Sequence, residues 1–436
     1  MNGADTLLLA RAQFGLNIGF HILFPTITLA LAWILVYFRV RFARSGDAAW
    51  LATYKLWVKV FALTFAMGVV SGITMSFQFG TNWPGYMTRV GNIAGPLLAY
   101  EVLTAFFLEA TFLGVMVFGM NRVPGWMHVT ATVLVAFGTT VSAFWILALN
   151  SWMQTPVGHT VAAGGQLIAG DWVAVIFNPS FPYRFTHMML ASGLTASFLV
   201  AGLSAWRLLH APQDGAALRT LRTGAVIAAV VAPLQILVGD LHGLNTLEHQ
   251  PAKIAAIEAI WQTQKGVPLV LFAVPNEARQ RNDFAIEIPK LASLILKHDA
   301  EAELKGIDHF APHAPPVAPV FLAFRVMVGM GVAMLSLAWF GTWVMRGGKL
   351  APRWILWSFA GFTFSGWIAT LAGWLVTEIG RQPWLVTGVL RTSEAAGRVG
   401  EASLGASFTG YVATYALMLV AYMVVLTHLA GKGAQR

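Results

Sequence analysis

The sequence predicts an all-α, polytopic membrane protein of about nine transmembrane helices, and three observations carry that prediction. Of the 436 residues, 57% are hydrophobic and 11% charged, where a soluble globular domain carries about 25% charged residues. Apolar runs of about 18 residues or more recur along the chain, each long enough to cross a bilayer core as a helix. The runs are continuous, whereas barrel strands alternate between apolar and polar residues, so helices are the spanning element.

In order, the spans lie at about 15–38, 56–79, 96–119, 128–150, 186–207, 223–240, 319–345, 355–378 and 408–430. Orientation follows from Lys and Arg near the span ends. One side holds Arg39, Arg41, Arg44, Lys55, Lys59, Arg122, Arg207, Arg219, Arg222, Arg346, Lys349, Arg353, Lys432 and Arg436, which is 14. The other holds Arg11, Arg89, Arg184, Arg381, Arg391 and Arg398, which is 6. The richer side is expected to be cytoplasmic, with the N-terminus outside and the C-terminus inside. The start of the chain lacks a basic region, short apolar core and small-residue cleavage site, so the first span is expected to be retained.

This divides the chain into helices one to six (residues 1–240), an outer segment (241–318) and helices seven to nine (319–436). The outer segment is expected to be the only long loop. Loops of this length in compact proteins are usually functional or disordered. Within it, Pro251 to Gln264 (PAKIAAIEAIWQTQ) predicts an amphipathic helix, with Ile254, Ala256, Ile257 and Ile260 apolar and Lys253 and Glu258 polar. The prolines of HAPPVAP (313–319) mark the return to the membrane.

Composition also excludes chemistries. The net charge of +9 is spread over short loops, with no basic face or aromatic-interleaved basic tract for nucleic acid. There are no cysteines, which removes disulfides, Cys-ligated zinc, iron–sulfur clusters and thioether-attached haem. A metal would have to be held by His, Met, Glu or Asp.

An ionised side chain at membrane depth costs about 2.5–3.5 kcal/mol on insertion scales, so it is a functional candidate by default. His21, Glu101, Glu109, His187, Arg325, Met327 and Glu378 all fall toward the outer half of the membrane. One outward-displaced site accounts for that pattern; scattered structural polar groups do not. An imidazole and a thioether such as His187 and Met327 together ligate low-spin haem iron, although most of the 16 methionines are core filler. Gly15 and Gly19 leave room beside His21 for a flat cofactor or a close helix. Glu101 and Glu109, eight residues apart, share a face and suit a proton path or an iron ligand with its proton donor. Ser142, Thr139 and Thr140 would extend that path inward. Arg325 and Arg381 lie near the outer boundary, where an Arg fork suits carboxylates such as haem propionates. Two other readings stay open on these residues alone. A transporter would use the buried His and Glu as a relay, and would show broken midplane helices and repeats. An electron-carrying haem subunit would need only His187 and Met327.

Six motifs decide between them. They are Arg11-Ala-Gln-Phe with His21, Gly72-Ile-Thr-Met-Ser-Phe-Gln-Phe-Gly-Thr-Asn-Trp83, Glu101 with Phe107-Leu-Glu-Ala-Thr-Phe112, Trp145-Ile-Leu-Ala-Leu-Asn-Ser-Trp-Met-Gln154, Phe324-Arg-Val-Met327, and Gly380-Arg-Gln-Pro-Trp384. In this order, over about residues 10–430, the chain resembles subunit I of the cytochrome bd-type quinol oxidases. The resemblance implies a terminal respiratory oxidase of the bacterial inner membrane, which oxidises ubiquinol or menaquinol outside and reduces dioxygen to water with cytoplasmic protons, without pumping. It implies a low-spin haem b on His187 and Met327, with Arg325 beside it. It implies a high-spin haem b and a haem d or third haem b on His21 and Glu378, with Trp374 and Arg381 in the cofactor-binding set. Glu101 and Glu109 match acids beside the high-spin pair, and Lys253 and Glu258 match quinol-site residues. The outer segment resembles the short quinol loop of the branch that includes cyanide-insensitive oxidases. The implied partners are a second, related membrane subunit and small single-span subunits.

Overall fold

The computed structural model describes residues 3–434. Among them, nine helical spans of 27–40 residues are long and apolar enough to cross a membrane. The first span is broken. Helix α1 (Gly3–Ile22) stops just past His21, and α2 (Pro25–Ser45) restarts on a proline that has no N–H to give to the preceding turn. Gly46 closes α2 in the left-handed conformation (φ 66°), and the Asp47 carboxylate caps α3 (Ala48–Thr81) by accepting from Ala49 N at 2.9 Å.

The third span is α4 (Pro84–Thr104), a π-helical turn (Ala105–Ala110) and α5 (Thr111–Phe118). The fourth is α6 (Gly125–Gln154), entered from Pro124. A small hairpin, β1 (His159–Val161) with β2 (Leu167–Ala169), and the short α7 (Trp172–Ile176) lead to α8 (Phe181–His210). Asp214 caps α9 (Gly215–His249).

Residues 250–316 then fold as α10 (Pro251–Ile257), β3 (Gln264–Lys265), β4 (Leu269–Asn276), β5 (Arg281–Ile288), α11 (Leu291–Lys297), β6 (Glu303–Leu304) and α12 (Ile307–Phe310). Strands β4 and β5 form an antiparallel hairpin, and β3 pairs with β6. The seventh span is α13 (Val317–Val344). The eighth is α14 (Arg353–Gly361) and α15 (Ser365–Ile379), separated by a short break. Hairpin β7 (Trp384–Val386) with β8 (Leu390–Arg391) and α16 (Thr392–Ala395) precede the last span, α17 (Glu401–Ala434).

Helix α8 is the most enclosed span. Its middle, Phe198 to Ala201, is fully buried against α9 and α14 on one side and α2 on the other. His187, Met327 and Glu378 lie toward the end of the bundle that carries the long connections, while His21, Glu101 and Glu109 stand nearer the middle of their spans or beyond it.

Two expectations are corrected. Helix α10 ends at Ile257, because Ala259 takes a positive φ of 51° and turns the chain toward β3. It is also buried all round, Lys253 included, so it does not lie amphipathically on a surface. Residues 241–249 belong to α9, and 250–316 is not the only long connection, since 155–180 and 380–400 also fold on that side. The all-α architecture itself stands: among the described residues the only sheets are four two-stranded ones in the connections.

Candidate functional site

His187 sits in the second turn of α8, facing α9 across a glycine. A Cβ on Gly239 would stand 3.3 Å from the imidazole Cε1. The ring's Nε2 is 3.1 Å from the Gln235 amide nitrogen, and the ring of His242 lies 5.4 Å away. Its Nδ1 has no partner among the described residues. Met327 lies in the third turn of α13 and also faces a glycine, where a Cβ on Gly373 would come 2.8 Å from the thioether sulfur. His21, at the end of α1, repeats the arrangement. Its Nδ1 is 3.0 Å from Ser71 Oγ, and a Cβ on Gly72 would meet its Cε1 at 3.0 Å. Each of these three donors is thus flanked by a residue with no side chain, on a neighbouring helix.

Trp374 follows Gly373 and packs toward Gly19 on α1, so α15 reaches both the Met327 and the His21 neighbourhoods with adjacent residues. One turn on, Glu378 accepts a hydrogen bond from Asn150 Nδ2 at 3.0 Å and forms an ion pair with Arg381.

Around Glu378 the charge does not balance. Arg184, Arg381 and Lys253 are all buried. Arg184 Nε, Arg381 Nε and Arg381 Nη1 have no acceptor among the described residues. Removing an unpaired cation from water costs several kcal/mol. Lys253 is better served, donating to Gln154 Oε1 at 2.7 Å, Gln250 Oε1 at 2.8 Å and Thr377 O at 3.2 Å. Burial, with Arg184 and Arg381 nearby, still holds its ammonium well below the usual lysine range. The cluster therefore has room and charge for anionic groups beyond Glu378.

Glu258 does not join Lys253. It pairs with Arg325 at 2.7 Å, while Arg325 Nε donates to Val270 O at 2.8 Å and the guanidinium lies over the Phe321 ring. Helix α10 is thus fastened at two points, by Lys253 to α6 and α15 and by Glu258 to α13.

Glu101 and Glu109 meet at one hydroxyl. Ser142 Oγ donates to Glu101 at 3.3 Å, and Glu109 lies beside the same group. Eight residues of regular helix would turn Glu109 about 80° away from Glu101. The wider π turn between them removes most of that offset. Thr139 and Thr140 instead donate to the carbonyl of Ala136, and Thr140 accepts from Trp33.

The sequence alone gives no site role to Arg184, Gln235, His242, Asn150 or Gln154, although Asn150 and Gln154 lie in the Trp145–Gln154 motif. Arg184 was visible, one turn before His187 on the same face, but was counted only for orientation. His242 fell beyond the expected end of the sixth span.

Among the described residues, no three His, Asp or Glu side chains converge as a bare metal ion would need. Single axial donors with an open flank suit an iron already held by a macrocycle, and the unpaired guanidinium groups suit its carboxylates. The donor set therefore fits haem.

Comparison with known proteins gives the same picture. The profile of the family described as cytochrome bd terminal oxidase subunit I matches residues 9–434. The cytochrome bd-II ubiquinol oxidase subunit 1 of Escherichia coli (strain K12) is 32% identical, covering 98% of this chain and 97% of that protein. The cytochrome bd ubiquinol oxidase subunit 1 of Bacillus subtilis (strain 168) is 34% identical, covering 89% and 86%. The structure of the bd oxidase from Geobacillus thermodenitrificans superposes with a TM-score of 0.91 at 28% identity, covering 99% of this chain and 100% of that one.

Proposed function

Since this chain belongs to the cytochrome bd terminal oxidase subunit I family, we propose that its outer-half cluster of donors and cations holds the haems of a quinol-oxidising, dioxygen-reducing site. The chain is a multi-pass protein of the bacterial inner membrane and part of a respiratory quinol oxidase. His187 and Met327 would hold a low-spin haem b. His21 and Glu378 would hold a high-spin haem b and a haem d or third haem b. When bound, these haems supply the irons that carry electrons and bind dioxygen.

The chain's own residues do the remaining work. Arg184 and Arg381 present unpaired N–H groups to carboxylates at the outer edge of the cluster. Gln235 and Ser71 orient the two imidazoles by their ring nitrogens. Trp374 closes the space between α15 and α1. Lys253 and Glu258 fix α10 over the spans, where ubiquinol or menaquinol would be oxidised with its protons released outside. Glu101, Ser142 and Glu109 would hold protons taken from the cytoplasm, so charge separates without a pump. A second membrane subunit, with small single-span subunits, would complete the oxidase.

The observation that carries this reading is the glycine facing each of His187, Met327 and His21. Replacing Met327 with Leu is expected to abolish the low-spin b bands of the reduced spectrum while the high-spin bands persist. An unchanged low-spin spectrum would remove Met327 from the ligand set.

A further inference from the structure

Helices α1, α3 and α17 meet along a seam of polar side chains that starts at His21 and Ser71 and continues through residues the proposed chemistry does not use. Gln13, Asn17 and His21 recur every four residues on one face of α1. Ser71, Thr74 and Gln78 recur every three or four on the opposed face of α3, and Asn82 follows at its C-cap. The contacts fix the register. The Phe14 ring lies 5.9 Å from that of Phe79 and 6.0 Å from that of Trp83, Thr74 donates to Asn17 at 3.3 Å, and Ser71 meets His21. From α17, Tyr415 bonds both Asn17 and Thr74, and Ser407 donates to Gln13 at 3.1 Å.

Interhelical glue would explain this seam if its hydrogen bonds closed. They do not. Gln78 is 1% exposed, and neither its amide nitrogen nor its oxygen has a partner among the described residues. The amide nitrogens of Asn17 and Asn82 are likewise without partners. Buried polar groups left this way are met by ordered water, which takes about three hydrogen bonds. The unpartnered groups are spaced along the seam, not gathered at one point. From Ser71 to Asn82 it runs about 16 Å along α3, ending at the exposed Thr81, which donates to Asn82.

We propose that this seam is a water lane leading from His21 to the membrane face that carries residues 250–316, and that it drains product water. The assignment rests on the reading of His21 as a ligand at the dioxygen-reducing site, where two waters form from each dioxygen inside an apolar bundle. The lane's composition suits water and not protons. Residues 12–22, 70–83 and 404–422 contain no Asp, Glu, Lys or Arg, and amides and hydroxyls bond water without storing a proton. Glu101 and Glu109 lie on a different span, so proton supply and water exit use separate parts of the fold.

Hydroxyl-radical footprinting of the intact oxidase tests this, because labelling of buried residues requires adjacent water. Met75 and Tyr415 line the seam, while Met116 and Tyr54 are buried away from it. Met75 is expected to oxidise several-fold faster than Met116, and Tyr415 faster than Tyr54. Equal rates within each pair would overturn the lane. In Gln78→Leu the excess labelling should be lost while the carbon monoxide difference spectrum is unchanged; retained labelling would also overturn it. Should that variant fail to assemble, the comparison within the native protein stands alone. Excess labelling in a protein with no carbon-monoxide-sensitive haem would leave a hydrated seam but overturn its assignment to product water, separating failure of the lane from failure of the haem reading.

Discussion

Single residues carry the chemistry here by what stands opposite them. Gly239, Gly373 and Gly72 matter because a side chain at any of them would enter the space beside a proposed ligand. Gly373→Val is therefore expected to lower low-spin haem content in the assembled oxidase, read as the reduced b band per mole of protein, while Gly361→Val, at a position with open space, should not. The Glu258–Arg325 pair is a second test. Both side chains are largely buried, and leaving one charge unpaired costs about 3–5 kcal/mol. Glu258→Ala should depress quinol turnover with haem spectra intact; full turnover would remove Glu258 from the quinol site. The sequence showed that His21, His187, Met327 and Glu378 were candidates, because polar groups at membrane depth stand out. The i,i+3 spacing of Glu378 and Arg381 was legible, but the sequence did not show that Glu258 pairs with Arg325 and not with Lys253. Such pairings depend on which helices are neighbours, and no residue spacing within one helix reports that.

At the scale of elements, boundaries proved more informative than spans. The apolar runs were plain in the sequence, but the break after His21 and the π turn that contains Glu109 were not. A break at Pro25 was visible in principle; the apolar run simply continues across it. The π turn carries no composition signal, and it is what brings Glu109 round to Ser142. Deleting Ala105 to restore regular winding should move Glu109 off that hydroxyl and slow dioxygen reduction, with the low-spin haem unaffected. The start of α3 offers a pH test. The Arg219 guanidinium and the capping N–H of Ala49 hold the Asp47 carboxyl below its ordinary range. Its contribution is present at neutral pH and above the ordinary carboxyl pKa, and is lost as pH falls through the depressed one. Protection factors in the first turn of α3, corrected for the intrinsic pH dependence of exchange, should fall on acidification in the native protein and should be low and show no such acid-dependent fall in Asp47→Ala.

For the whole molecule, the nine-span count and the sidedness of the connections follow from hydropathy alone, and the structure has the same architecture. The short links at 46–47, 119–124 and 211–214 lie on one side, and the folded segments at 155–180, 250–316 and 380–400 on the other. What hydropathy could not show is that those segments are built, with hairpins and buried helices, because their stability comes from packing on the span ends. The expected orientation puts the folded side outside. A chain without cysteine makes this easy to check. A membrane-impermeant maleimide added to cells with a permeabilised outer envelope and an intact inner membrane should label Lys297→Cys and not Ser45→Cys; the opposite pattern would invert the orientation.

The central claim is that one outer-half site holds haem with an iron open to dioxygen. The reduced-minus-oxidised absorption spectrum of the purified oxidase, recorded with and without carbon monoxide, tests it most directly. Low-spin b bands that carbon monoxide leaves alone, together with a second component that it shifts, are the expected result; a far-red band would mark haem d. A spectrum with no carbon-monoxide-sensitive component would contradict the account and reduce the site to electron transfer.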